Sequence, residues 1–171
     1  MNAMKKLLLI MLLMPLFCAA QKIPDSGFDK VRIANGTTTI QAELLPVTSD
    51  PAIKSDRFYF WYSGNSIQST QGGFSGTLLN GTYNEYYLNK SLKEQGTFNK
   101  GLKDGVWKSW NSDGYLVQLY TWDNGVKSGK FLECDAKGMI IKSGNYKHNV
   151  LVVQDSSSFL HRINIFKKKD Q

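Results

Sequence analysis

His148 and His161 are the only histidines of the chain, and Cys134 is its only cysteine beyond the first twenty residues. Imidazole is the commonest general base, and a thiolate is the strongest side-chain nucleophile when a base is positioned beside it. Neither role fits here. His148 lies in "KHN", a run that matches "NKG" and "DNG" earlier in the chain, so it takes the place of a turn residue. Cys134 stands where Tyr86 and Trp110 stand elsewhere and reads as a buried apolar substitute, with no Cys-His arrangement in its spacing. Glu85, Glu94 and Glu133 are scattered, whereas a glycosidase needs two carboxylates facing each other at a set separation. No H-x-x-x-H, C-x-x-C or EF-hand loop occurs, and Gly72-Gly73 is spaced for a hairpin, not a phosphate cradle. The expectation is a chain that is not an enzyme and has no metal and no cofactor. Four tryptophans remain, each with a flat apolar face and one N–H. Trp107 and Trp122 are expected in the core. Trp110, Tyr86, Trp61 and Tyr62 form the candidate binding set.

The aromatic residues belong to a pattern. Gly81, Gly105 and Gly129 are 24 residues apart. Two residues after each come Tyr83, Trp107 and Phe131, and seventeen after each come Phe98, Trp122 and Tyr146. Leu92, Leu116 and Ile140 hold a further shared position. An earlier and divergent copy carries Tyr59, Tyr62, Gly72 and Phe74 at the matching places, which gives four units over residues 57–80, 81–104, 105–128 and 129–152. Each unit reads as two short strands; in the third these are Val106–Trp110 and Tyr115–Trp122, joined by "NSDG". Lys90 replaces the turn glycine of the second unit, so a longer or differently shaped loop is expected there. Aromatics three residues apart in the first strand of each unit would face opposite ways in a regular strand, which predicts a bulge. A lone hairpin of this size buries too little apolar area to stand alone, so stacked hairpins must share a ridge. The fold class expected is all-β, an elongated meander of stacked β-hairpins with a short helix possible at the C-terminus.

The runs "NGTYNEYY", "KGLKDGVWKSWNSDGYL" and "NGVKSGKF" resemble MORN-type repeats, in the bacterial variant found in YwqK-like proteins that are labelled antitoxin components. The resemblance covers residues 57 to about 150. It implies an extended meander of hairpins used for protein or ligand contact, in members of varied role. The methyltransferase domain that follows such repeats in some eukaryotic proteins has no counterpart here.

The flanks set the compartment and the ends. Lys5 and Lys6 precede the apolar run Leu7–Phe17 and the small residues Cys18-Ala19-Ala20. That run is shorter than the roughly 20 residues a membrane span needs, so residues 1–20 read as a secretory signal cleaved after Ala20, with no transmembrane span once it is removed. Leu16 and Phe17 do not supply the small residue that bacterial lipid attachment wants before a cysteine; an anchor at Cys18 is the alternative. Loss of Lys5 and Lys6 takes the net charge from +7 to +5, an excess that points to solubility and not to nucleic acid. Residues 21–56 read as a hairpin cap turning at Asn35-Gly36, placed to cover the edge of the first unit. Residues 153–171 read as a C-terminal cap, either a helix with Phe159, Leu160, Ile163 and Phe166 on one face or a strand, followed by a solvated basic tail. The function expected is an exported, periplasmic or extracellular binding or scaffold protein whose partner is another envelope protein. A carbohydrate-binding or glycan-active protein and an antitoxin-like inhibitor are the alternatives.

Overall fold

A computed structural model describes residues 29–44 and 51–152; the expected signal segment and the expected C-terminal cap with its helix lie outside the described residues. Eleven strands and no helix make up the part described, and every pairing is antiparallel. β1 (Asp29–Ala34) and β2 (Thr38–Leu44) form one hairpin, and β3 (Phe58–Ser63) and β4 (Ser66–Gln71) a second. β5 (Thr77–Tyr87), β6 (Leu92–Asn99), β7 (Leu102–Trp110), β8 (Leu116–Asp123), β9 (Val126–Cys134), β10 (Ile140–Lys147) and β11 (Val150–Val152) then run up and down in sequence order. The sheet is an open meander in the order β1-β2-β5-β6-β7-β8-β9-β10-β11, with the β3–β4 hairpin attached through β3 to β5.

Two kinds of connection alternate. Lys100-Gly101, Asn124-Gly125 and His148-Asn149 are tight turns with both residues left-handed, at φ 48° and 81°, 45° and 83°, and 49° and 66°. This geometry matches the right-handed twist of the flanking strands. Each turn also bonds back to the preceding hairpin: the N–H groups of Gly101, Gly125 and Asn149 donate to the carbonyls of Leu79, Lys103 and Lys127 at 2.7, 2.8 and 2.9 Å. At the opposite end, the N–H of Tyr87, Asn111 and Asp135 donates to the carbonyl of Ser91, Tyr115 and Met139. Lys90 closes the first of these loops with φ 67°, where Gly114 and Gly138 close the others at 85° and 79°. The loop at Lys90 is therefore not longer or reshaped; the lysine accepts the left-handed conformation because the flanking strands hold both ends of the loop.

Register shifts lie at Tyr86 and Trp110, but the extra residue is on the second strand of each hairpin, Lys93 between Leu92 and Glu94 and Val117 between Leu116 and Gln118, and not on the first strand as the aromatic spacing suggested. The strands are longer than the sequence suggested. β7 begins at Leu102 and passes through Gly105, so the phase glycines sit inside strands, across from Phe98, Trp122 and Tyr146.

Residues 57–80 depart from the expected arrangement. β2, not β4, pairs with β5, in a register from Thr38 against Tyr87 to Leu44 against Leu79. The N-terminal hairpin therefore covers the edge of the second unit, not the first. Sequence composition explains the exchange. β4 reads "SIQSTQ" with one apolar residue and is followed by Gly72, which takes φ 69° outside any strand, whereas β2 offers Ile40, Ala42 and Leu44. The displaced β3–β4 hairpin packs on the sheet instead. Phe60, Tyr62 and Ile67 lie against a buried cluster of Ala42, Leu44, Leu79, Tyr83, Phe98 and Trp107. Tyr59, Leu78 and Leu102 form a second cluster, with Trp61 and Phe74 against it.

Candidate functional site

Side chains of one sheet face form a continuous row of rings because residues opposite each other in an antiparallel pair share a face. Phe60 contacts Phe98 at 5.0 Å between ring centres, Phe98 meets Trp107 edge-on at 4.8 Å, and Tyr83 meets both. Trp107 is the cross-strand partner of Tyr120, and Tyr120 of Phe131. Tyr120 stacks on Phe131 at 5.7 Å, and Phe131 contacts Tyr146 at 5.0 Å. Trp107 and Phe131 are buried, while Tyr120, Trp122 and Tyr146 are half-exposed.

Three lysines lie over this row, Lys142 at 5.8 Å from the centre of Phe131 and two others closer in. The Lys103 ammonium is 3.8 Å from the centre of the Trp107 ring, and that of Lys127 is 3.9 Å from the centre of Tyr120. The Trp122 ring lies between them, 5.8 Å from one and 5.7 Å from the other. Each contact places a cation against the negative face of a ring, which stabilises by about 0.5–2 kcal/mol according to solvation.

The carboxylates are not scattered in space. Glu85 and Glu94 are cross-strand partners, and each has its own lysine: Lys93 at 2.9 Å from Glu85 and Lys103 at 3.1 Å from Glu94. Glu133 accepts the Tyr120 hydroxyl. Burial above all, then the Glu85 charge, pushes the Tyr83 phenol far up; burial and then the bond to Glu133 do the same to Tyr120. Lys127 has no carboxylate within 4 Å among the described residues. Burial lowers the affinity of its amine for a proton; Glu133 opposes that shift, and Lys103 and Lys142 add to it. Among the described residues no group of three His, Cys, Asp or Glu side chains could hold a metal ion.

The candidate set read from the sequence does not assemble. Trp61 and Tyr62 are neighbours on β3 and face opposite ways: Trp61 packs with the Leu78 cluster and donates from Nε1 to Thr70 Oγ1 at 3.0 Å, while Tyr62 packs with the Leu79 cluster. Tyr86 and Trp110 sit at the bulges, at the loop end of their hairpins, and no ring contact joins any two of the four among the described residues. Cys134 is half-buried, where the sequence suggested full burial, and His148 is an exposed turn residue; His161 lies outside the described residues. The residues the structure brings together are Lys103, Lys127, Tyr120 and Trp122. A signal existed for the lysines, since both stand two residues before a phase glycine, but it is legible only once polar columns are followed as closely as aromatic ones. Comparison with family models, with curated proteins and with solved structures gives no match.

Proposed function

We propose that this chain is an exported, non-catalytic binding protein built on MORN-type repeats of 24 residues, which contacts another protein of the cell envelope through the ring-and-lysine face of β7 to β10. The repeat reading is supported by equivalences at that spacing. Gly81, Gly105 and Gly129 pair with Phe98, Trp122 and Tyr146, and the three left-handed turns each bond back to the hairpin before them. Export, to the periplasm or beyond, rests on the composition of residues 1–20. The observation that carries the binding reading is the placement of Lys103 and Lys127 over Trp107 and Tyr120 beside the half-exposed Trp122. Tryptophan and tyrosine held rigidly on a sheet are among the anchors that dominate protein interfaces, and the lysines beside them supply charge that orients a partner.

The same observation weighs against the carbohydrate reading. A sugar stacks on an open ring face, and the faces of Trp107 and Tyr120 are taken by ammonium groups. Antitoxin-like inhibition would be one instance of the protein contact proposed. A photo-crosslinking residue placed at Gln118, exposed on this face, should trap one envelope protein; the same residue at Lys130, exposed on the opposite face, should not. Equal adducts from both positions, or none from either, would remove the proposal.

A further inference from the structure

Lys103 and Lys127 hold matching places on the ring face, yet only one has a counter-ion. Lys103 reaches Glu94 at 3.1 Å. The residue 24 positions after Glu94 is Gln118, and the next in that column is Lys142. Lys127 has an aromatic bed of its own, Tyr120 at 3.9 Å with Trp122 at 5.7 Å and Tyr146 at 5.3 Å, where Lys103 lies on Trp107, and in its unit the carboxylate is replaced by an amide. Glu133, whose cross-strand partners are Gln118 and Lys142, already receives the Tyr120 hydroxyl. A half-buried ammonium that has lost water on its ring side, with no carboxylate within 4 Å among the described residues and only the longer-range field of Glu133, itself bonded to Tyr120, has room for a closer anion.

We infer that Lys127, with Trp122 across from it and Gln118 in the place that Glu94 holds one unit earlier, is the seat for a carboxylate brought by a protein partner: an aspartate, a glutamate or a chain-terminal carboxylate standing toward Lys127 as Glu94 stands toward Lys103. The inference rests on the proposed binding function and names the chemistry of that partner. A carboxylate fits better than a phosphate. The matching position beside Lys103 is filled by a carboxylate, Glu94, and a singly charged carboxylate leaves less uncompensated charge next to Glu133 than a phosphate would. Lys142, exposed on the next strand, adds a positive field that draws an acidic segment in without blocking the seat.

The test uses the full chain and a fluorescein-labelled hexaglutamate peptide, followed by anisotropy at low ionic strength. Saturable binding is expected. Lys127→Met and Gln118→Glu should each weaken it about tenfold, equal to 1.4 kcal/mol, and Lys130→Met on the opposite face by less than about twofold. Gln118→Glu is the sharper variant, because it supplies the missing carboxylate from within and should leave the thermal midpoint no lower than that of the unaltered chain. No saturable binding, or a Gln118→Glu chain that binds the peptide as well as the unaltered one, overturns the inference. So does a polymannuronate hexamer that binds through Lys127 where hexaglutamate does not, which would make the seat one for an acidic glycan. If hexaglutamate fails while crosslinking at Gln118 still traps an envelope protein, this inference falls and the binding function stands. If hexaglutamate binds and no face-specific adduct forms, the envelope-protein reading falls instead.

Discussion

At the scale of single residues, two constraints on glycine separate cleanly in this fold. Gly96 has an ordinary strand conformation, but a Cβ there would strike the indole of Trp107, which is itself fixed by its Nε1 donating to the Thr97 carbonyl at 3.1 Å. Gly105 is the converse: nothing lies within 4 Å of its would-be Cβ, yet its φ is 69°. Gly96→Ala should cost about 1–3 kcal/mol through overpacking. Gly105→Ala should cost about 1 kcal/mol through backbone strain alone. Urea denaturation of the two variants checks both figures. The Gly96→Ala loss should shrink in a chain that also carries Trp107→Phe, whereas the Gly105→Ala loss should not. Lys90 tests the same physics in the other direction. Its φ of 67° is strained for a lysine, so Lys90→Gly should stabilise by about 0.5 kcal/mol once the greater entropy of glycine in the unfolded chain is counted. A destabilised Lys90→Gly chain would mean that the lysine side chain has a partner that outweighs the strain.

At the scale of elements, the attachment of the β1–β2 hairpin to β5 is the join that sequence did not reveal, and it carries its own titratable contact. Glu43 Oε2 accepts the N–H of Thr82 at 2.7 Å, and Lys30 stands 3.3 Å from the other oxygen. The approach is possible because Gly81 has no Cβ, which would collide with that carboxylate. The Thr82 bond first, and Lys30 after it, hold the Glu43 carboxyl below its ordinary value of 4.5 against the opposing effect of burial. A carboxyl with a depressed folded-state value contributes stability that is complete above the unfolded value and is lost as the pH falls through the folded one. Thermal midpoints of the unaltered chain should therefore fall faster between pH 5 and 3 than those of Glu43→Gln, which should start lower at pH 7. Parallel curves would show that the bond contributes nothing to stability. The strands themselves were legible because their signals are local. Asn35-Gly36 and Asn124-Gly125 state their turns outright, and aromatics at three-residue spacing announced an irregularity in each hairpin but not that the extra residue, Lys93 or Val117, lies on the second strand. The pairing of β2 with β5 was not legible, because it is decided by competition between two distant strands for one edge. The lysine seat was hidden for a related reason: Lys103 and Lys127 look alike in sequence, and only the structure shows Glu94 reaching Lys103, while Lys127 lies across from Trp122 and Gln118 across from Glu133.

At the scale of the whole molecule, a meander of this kind has an interior direction and two ends, and the ends are where its stability should fail. Leu78, Leu102, Val126 and Val150 stand 24 residues apart. The first three are 3, 7 and 5% exposed, and the fourth is 67% exposed. The residue type changes little along this column; what changes, among the described residues, is the presence of a next hairpin to cover it. Ile140, Ile141, Leu151 and Val152 share that exposure, and among the described residues β11 is hydrogen-bonded on one side only. Each hairpin in such an array is stabilised by its neighbours, so opening should begin where a neighbour is missing. Amides of β11 and the outer half of β10 should exchange with solvent faster than those of β7 to β9. Side-chain truncation gives the quantitative form. Val126→Ala removes buried methyl groups from between two hairpins and should cost about 2 kcal/mol. Val150→Ala removes the same atoms from solvent and should cost less than about 0.5 kcal/mol. Denaturant titration of the two variants separates these outcomes. Equal losses would mean that Val150 is covered in solution, and that the β10–β11 edge is a packed interface and not the free end of the sheet.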